Sequence, residues 1–328
     1  MKKLIAESPD RVVVAEVDVP VMQEDEILVR AVRSLMSPGS ELKRVRNSTA
    51  HSGSWPNHDL GYALAGVVED VGSEVDNFKP GDRVVTMENH QQFVTTKASM
   101  SDSFPALPIP DEIDWDTAPF CIWGCSCINW MRRANIQLHE NVAIVGCGLV
   151  GLLMTMWSKL VNPKSVIAVD LATKRLELAR RCGADVIING SEEDAVPKVC
   201  ELTSGGAEVT LHCVGGTAVK AFEDSQRLTK TGGRVILIGH HVEPLTVLTY
   251  QFTDKDLLGA SVGYNYDTQL FLDGIRHIES GRLPVREIIT HKVSFTQAPE
   301  IYDMLINNPL DSAGILFDWE ESAGGTTT

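Results

Sequence analysis

Three things are missing from this 328-residue sequence: a long apolar run, an excess of positive charge and any regular spacing of cysteine. No stretch approaches the roughly 20 apolar residues that a membrane-spanning helix needs. The opening Met1-Lys2-Lys3-Leu4-Ile5 is too brief and too soon followed by acid for a secretory signal, so a cytoplasmic protein is expected. Lys and Arg number 29 against 44 Asp and Glu, a net charge of −15, so neither a nucleic-acid backbone nor an anionic membrane is an expected partner. The seven cysteines, Cys121, Cys125, Cys127, Cys147, Cys182, Cys200 and Cys213, fall irregularly. Five of them lie in apparent strand, helix or turn positions, as expected of reduced thiols rather than a disulfide framework. No internal repeat is visible, and the length leaves room for two domains with cores of their own.

What is present centres on Gly146-Cys147-Gly148-Leu149-Val150-Gly151. The β-branched run Asn141-Val142-Ala143-Ile144-Val145 before it reads as a buried strand, and Leu152-Leu153-Met154-Thr155-Met156-Trp157 after it as a helix. A second strand, Ser165-Val166-Ile167-Ala168-Val169, ends at Asp170. Glycines at this spacing also occur in ordinary turns. Between strand and helix, with an acid closing the next strand, they form a dinucleotide-binding fingerprint. Gly146 permits the tight turn, Gly148 lets the backbone approach a pyrophosphate, and Gly151 allows the helix to pack on the strand. The helix N-terminus then faces the phosphates. Asp170 accepts from ribose hydroxyls and repels a 2′-phosphate, which points to NAD(H); Lys174 and Arg175 lie near enough in sequence to serve a 2′-phosphate instead.

The first part of the chain is strand-rich, with β structure expected at 11–15, 26–31, 66–71, 81–85 and 92–96. From about Asp116 helices and apolar strands alternate. Helices are expected over 173–182, 191–203, 217–229 and 268–280, and strands over 185–188, 208–213, 234–239 and 258–262. With the two strands around the glycine turn these make one doubly wound α/β sheet. The tail from Glu321 to Thr328 reads as disordered.

These landmarks, with Val67-Val68-Glu69-Asp70-Val71-Gly72, Gly81-Asp82-Arg83-Val84, Arg175-Leu176-Glu177-Leu178-Ala179, Gly183-Ala184-Asp185 and Gly232-Gly233-Arg234-Val235, carry a resemblance. The sequence resembles the medium-chain dehydrogenase/reductase superfamily over nearly its whole length. The resemblance implies a GroES-like β-barrel catalytic domain of residues 1–121 and 265–328, with a Rossmann dinucleotide-binding domain inserted at 122–264. The cleft between them would hold nicotinamide and substrate. The implied cofactor set is Gly146, Gly148, Leu149, Val150, Gly151, Asp170, Arg175, Val214, Gly239 and His240. Members commonly pair through the edge strand of the nucleotide domain, here Leu257-Leu258-Gly259-Ala260-Ser261-Val262, so a homodimer or homotetramer is expected.

The departures from the family matter as much. Where zinc alcohol and polyol dehydrogenases carry Cys-Gly-Ser/Thr-Asp, this chain has Pro38-Gly39-Ser40-Glu41. Their Gly-His-Glu is Gly61-Tyr62-Ala63 here, and their third zinc ligand falls near Ile122. Cys121 and Cys125 are close, but one thiolate does not replace three ligands. No cysteine lies between Val84 and Met100, so the structural zinc lobe is missing too. The chain is similar to a branch with Ser-Pro-Gly-Thr-Glu, Gly-Tyr-Ser and Pro-His motifs, matched by Ser37-Pro38-Gly39-Ser40-Glu41, Gly61-Tyr62-Ala63 and Asn89-His90. No metal is expected.

Without zinc, alkoxide character on the substrate oxygen must be met by hydrogen-bond donors and a positioned acid or base. The alignment brings His90, Tyr62, Ser40 and Lys43 to the cleft. His90 is the leading acid/base candidate because imidazole titrates near neutrality; as a loop residue it would do nothing. Tyr62 either aims its phenol at the substrate oxygen or fills the vacated metal volume. Ser40 either relays a proton or caps a helix, and Lys43 either contributes to the relay or shares a solvated helical face with Arg44 and Arg46. Glu41 is expected in a structural ion pair, and His51, His58 and Asp59 in a surface loop. His240 and His241 are expected beside the nicotinamide, through their backbone.

The expected activity is a zinc-independent, NAD(H)-dependent interconversion of a secondary alcohol and a ketone on a polar, sugar- or cyclitol-like small molecule. A zinc-free quinone or enoyl reductase is the first alternative, weakened by Asp170 because those branches favour NADPH. A non-catalytic NADH-binding protein is the second.

Overall fold

The computed structural model describes residues 1–46, 55–101, 104–252, 254–260, 267–308, 310 and 312–320. The chain opens with a hairpin of β1 (Lys2–Ser8) and β2 (Arg11–Glu16). The long β3 (Glu26–Met36) is the spine of a seven-stranded sheet. It pairs antiparallel with β4 (Leu64–Val71) and β6 (Phe93–Lys97). β5 (Arg83–Thr86) extends this sheet beyond β4, and β7 (Leu107–Pro108) beyond β5. Along β3, half-buried and buried residues alternate from Glu26 to Ala31, as a one-sided sheet requires; from Ala31 to Met36 every residue is buried, because both faces are covered. Helix α1 (Pro38–Arg46) follows directly.

After α2 (Trp123–Ala134) the pattern becomes strand–helix. β8 (Asn141–Val145), α3 (Leu149–Leu160), β9 (Ser165–Asp170), α4 (Thr173–Arg181) and β10 (Val186–Asn189) form one half. α5 (Ala195–Thr203), β11 (Ala207–His212), α6 (Val219–Leu228), β12 (Thr229–Leu237) and β13 (Asp256–Gly259) form the other. The six strands are all parallel, in the order β10-β9-β8-β11-β12-β13, with the order reversing between β8 and β11. Ligands bind doubly wound sheets at that reversal. α5 starts four residues later than expected because Asp194 caps it, its carboxylate accepting the Val196 N–H at 3.0 Å. β13 ends at Gly259; Ser261 and Val262 of the expected strand lie outside the described residues, as do the expected domain boundary at 264/265 and the tail from Glu321.

α7 (Thr268–Glu279) leads back to the first sheet, where β14 (Ile289–Ser294) runs parallel to β15 (Gly314–Asp318), and β15 antiparallel to β3. α8 (Ala298–Asn307) joins the two and covers the barrel core with Tyr302 and Leu305. The architecture is thus α/β, a GroES-like barrel with a Rossmann sheet. One apolar cluster fills the barrel around Val29, Leu64 and Phe317; another runs from Ala63 and Val85 through Trp123 and Trp130 to Cys147, Leu149 and Ile238, joining barrel and nucleotide sheet. No helix among the described residues is long and apolar enough to cross a membrane.

Candidate active site

The nucleotide side is built by glycine. Gly146 ends β8 with φ +91°, and a Cβ there would lie 2.5 Å from Val214 Cγ2. At Gly151 a Cβ would sit 1.8 Å from the Gly146 carbonyl oxygen, so α3 can approach the turn only without a side chain. Gly148, the residue capping α3, differs: nothing lies within 4 Å of a Cβ built there. The backbone at the helix N-terminus is open to a ligand, the requirement for seating a pyrophosphate. Leu149 is buried and Val150 half-buried behind the turn. The ends of β11 and β12 are pressed together, since a Cβ on Gly239 would lie 1.7 Å from the Val214 carbonyl oxygen.

Asp170 ends β9 with its carboxylate turned into the glycine loop. One oxygen accepts the Cys147 N–H at 2.6 Å and the other the Ala172 N–H at 2.9 Å. Each oxygen keeps a lone pair for a ribose hydroxyl. Arg175 points elsewhere with at least part of its guanidinium, Nε donating to the Ser312 carbonyl at 3.0 Å. Lys174 is exposed. The glycine turn, the helix and the acid together fit a dinucleotide.

On the barrel side, α1 is fixed by a buried network. Glu41 turns back so that Oε1 accepts the Ser37 N–H at 2.7 Å, while Oε2 accepts from the Tyr302 hydroxyl at 2.5 Å and meets His90 Nε2 at 3.1 Å. His90 Nδ1 lies 2.8 Å from Ser34 Oγ, which also accepts from Trp319 Nε1 at 2.8 Å. Glu41, His90, Ser34 and Tyr302 are fully buried. Burial pushes the Glu41 carboxyl up, but the charge of His90 and hydrogen bonds from His90, Tyr302 and the Ser37 N–H outweigh it and hold the carboxyl below its ordinary value.

This corrects the reading of His90 as a proton donor to substrate. Both ring nitrogens are engaged, and the side chain is sealed in the barrel against Phe317, with ring centroids 5.1 Å apart. Its loop folds inward because the buried Glu41 requires donors. Gly61, at φ +90°, makes the approach possible: a Cβ there would lie 2.6 Å from His90 Cγ.

Tyr62 follows Gly61 and is half-buried. Its phenol stands near the hydroxyls of Ser37 and Ser40, its ring lies 5.6 Å from that of Trp123, and the Arg44 guanidinium stands 5.6 Å from the ring centroid. Burial, helped by the charge of Glu41, pushes the phenol up to about 12 against the pull of Ser37, Ser40 and Arg44. Arg44 holds the loop before Gly61, donating to the Asp59 carbonyl at 2.6 Å. Lys43 is half-buried on the same helix, and after burial its charge is the second cause that pushes the His240 imidazole down.

Tyr62 thus packs on the cluster that joins barrel and nucleotide sheet, Ser40 and Lys43 lie on α1, whose Arg44 stands over its ring, and His90 is sealed inside the barrel. Sequence reasoning overlooked Ser37 as a second hydroxyl on Tyr62, although it precedes Ser40 by three residues and so shares its side of the first turn. It also passed over Trp123, which adjoins the third ligand position. His58 is exposed and Asp59 half-buried; His51 lies outside the described residues.

Two family profiles match in chain order: "Alcohol dehydrogenase GroES-like domain" over residues 23–104 and "Zinc-binding dehydrogenase" over 150–276. Among curated relatives, the erythritol/L-threitol dehydrogenase of Mycolicibacterium smegmatis is 35% identical over 56% of this chain and 49% of its own length. The sorbitol dehydrogenase of Bacillus subtilis is 27% identical over 92% of both chains. Among solved structures, the zinc-dependent alcohol dehydrogenase 2 of Streptococcus pneumonia superposes with a TM-score of 0.85 at 21% identity, covering 99% of this chain and 100% of its own.

The zinc in these names does not fit the donors present here. Pro38 offers no ligand atom, Ile122 is a buried hydrocarbon, and the neighbouring Cys121 thiol is sealed in the core and pushed up to about 12 by burial. Among the described residues no three His, Cys, Asp or Glu side chains stand together as a metal site would require. In fold, in both domain profiles and in the nicotinamide-dinucleotide turn, the chain is a dehydrogenase and belongs to the medium-chain dehydrogenase/reductase superfamily.

Proposed function

We propose that the protein interconverts a secondary alcohol and a ketone on a polar, sugar- or cyclitol-like small molecule, using NAD(H) and no zinc. The observation that carries this reading is Tyr62, a phenol beside the Ser37 and Ser40 hydroxyls, at the position that the family resemblance assigns to the zinc-binding histidine of zinc relatives. NAD(H) accepts or supplies the hydride when bound. The chain must then manage charge on the substrate oxygen. A phenol held near 12 stays protonated at neutral pH, so Tyr62 donates to the carbonyl oxygen as alkoxide character develops. Ser37 and Ser40 orient that proton and relay one from solvent back to the resulting phenolate, and oxidation of the alcohol runs the same transfers in reverse. Arg44 fixes the loop bearing Tyr62, and Glu41, tied to His90 and Tyr302, fixes the helix bearing Ser40. Turnover of polyols or cyclitols with NAD+, with the ketone identified by mass spectrometry, tests the reading; reduction of activated C=C bonds in preference would replace it.

Asp170 is the basis for NAD(H) over NADP(H). Asp170→Ser is expected to weaken NADH binding and narrow the gap to NADPH in a fluorescence titration, because a carboxylate repels a 2′-phosphate. A wild type that already prefers NADPH would remove the assignment.

The reading also includes a cytoplasmic location, in keeping with seven free cysteines, and a dimer built on β13. Among the described residues β13 pairs only with β12, and its outer edge is the one offered to a second copy. Light scattering at micromolar concentration should give at least twice the chain mass; a strict monomer contradicts the pairing.

A further inference from the structure

Helices α2 and α7 cross almost in backbone contact. A Cβ on Gly124 would lie 2.6 Å from the Gly274 Cα, and one on Gly274 would lie 2.4 Å from the Gly124 Cα. Rods that touch at a crossing part on either side of it. One turn past the glycine on each helix, Ile128 and His277 line a groove of about 490 Å³. Trp157, in the last turn of α3, forms a further wall, and its ring meets that of His277 edge to face with centroids 5.0 Å apart. At the usual helical rise Trp157 lies about 14 Å along α3 from its Gly148 cap. The groove is therefore at the far end of that helix from the turn suited to a pyrophosphate, outside the cleft.

Asp273, Arg276 and Arg282 also line it, and their charges do not balance. Asp273 is the single acid in the lining and is already engaged. Its Oδ1 accepts from Arg276 Nη1 at 3.0 Å and from the Gln269 amide at 3.0 Å. Arg282 is exposed and has neither an ion pair nor a hydrogen bond among the described residues. Burial, and then the charge of Arg282, push the His277 imidazole down against the pull of Asp273, so the ring is uncharged at neutral pH. The lining as a whole is cationic, in a chain whose total is −15. That sign selects an anion, and a guanidinium matches carboxylate and phosphate oxygens with two parallel N–H groups. The walls favour carbon, since Trp157 and Ile128 offer an indole and a branched hydrocarbon. All three helices are in place before any ligand arrives, so little ordering cost falls on binding.

We propose that this groove is a second small-molecule site, separate from the cleft, for an organic anion. A carboxylate or phosphate is received by Arg282 and the unengaged nitrogens of Arg276, and a flat apolar body lies against Trp157 and Ile128. The site does not depend on the alcohol–ketone reading.

The test is calorimetric titration of the intact chain, saturated with NADH, with phenyl phosphate, benzoate, benzamide and inorganic phosphate. Phenyl phosphate or benzoate should bind at one site per chain, and the tighter of the two names the anion. Benzamide keeps the ring without the charge, and inorganic phosphate the charge without the ring. Each should bind at least about 10-fold more weakly than the leading anion. Arg282→Gln should weaken that anion about 10- to 100-fold, the range for a hydrogen bond to a charged group, with NADH affinity and melting temperature unchanged. Arg282→Lys, which keeps the charge, should restore part of the loss. Failure of both anions to bind at millimolar concentration overturns the proposal. So does equal binding of benzamide or of inorganic phosphate, or an affinity that Arg282→Gln does not move. Binding that appears only when NADH is left out places the ligand in the cleft and overturns it as well.

Discussion

Tyr62→Phe is expected to lower kcat by about 10²–10⁴-fold, the range lost with a general acid. The substitution keeps the ring against Trp123 and beneath Arg44 and removes only the hydroxyl that meets Ser37 and Ser40. NADH affinity, set by the glycine turn and Asp170, should not change, and neither should the melting temperature by more than a few degrees. A phenol that merely filled volume would behave differently: Tyr62→Phe would then retain near wild-type kcat, and only a smaller side chain would do harm. Ser40→Ala should show a milder fall in kcat, since Ser37 still reaches the phenol.

The second large effect is on stability. Glu41→Ala strips one carboxylate from three donors at once, leaving His90, the Tyr302 hydroxyl and the Ser37 N–H buried without it. Breaking a buried pair in this way costs about 3–5 kcal/mol, enough to lower the melting temperature by many degrees or prevent folding. The pH dependence has a definite sign. The folded carboxyl lies below its ordinary 4.5, so its contribution is complete above that value and is lost as pH falls through the lowered folded value. The stability difference between wild type and Glu41→Gln should therefore shrink on acidification below about pH 4.5 and stay constant from neutrality down to that point. A gap that instead closed between pH 8 and 6 would assign the effect to a different group.

These two residues also mark where the sequence was legible and where it was not. The nucleotide sheet was readable because its signals are local: an apolar β-branched strand, three glycines and an acid within 30 residues, repeated strand–helix alternation, and Gly183 closing α4. The same locality explains the misplacement of His90. Its partners, Glu41 and Ser34, lie 49 and 56 residues before it in the chain, and Glu41 bonds in turn with Tyr302 across 261 residues. No periodicity in Asn89-His90-Gln91 signals burial, so a histidine between two strands looked like a reachable acid or base. β1 and α8 were missed for the same reason, each acquiring its buried face only from the barrel it closes. Tyr62 and Ser40 could be placed because their motifs carry fixed positions in the family, whereas the orphan indole N–H of Trp123 is a property of packing that no motif expresses.

The central claim is that hydroxyls do the work of a metal in a family named for zinc. Elemental analysis of the purified, catalytically active protein, before and after exhaustive treatment with a chelator, tests it most directly. The account predicts far less than one zinc per chain, with kcat, fold and NADH binding unchanged by the chelator. About one tightly held zinc per chain, removed together with activity, would mean that a tetrahedral site exists which Pro38, Tyr62 and Ile122 do not provide, and would contradict the account.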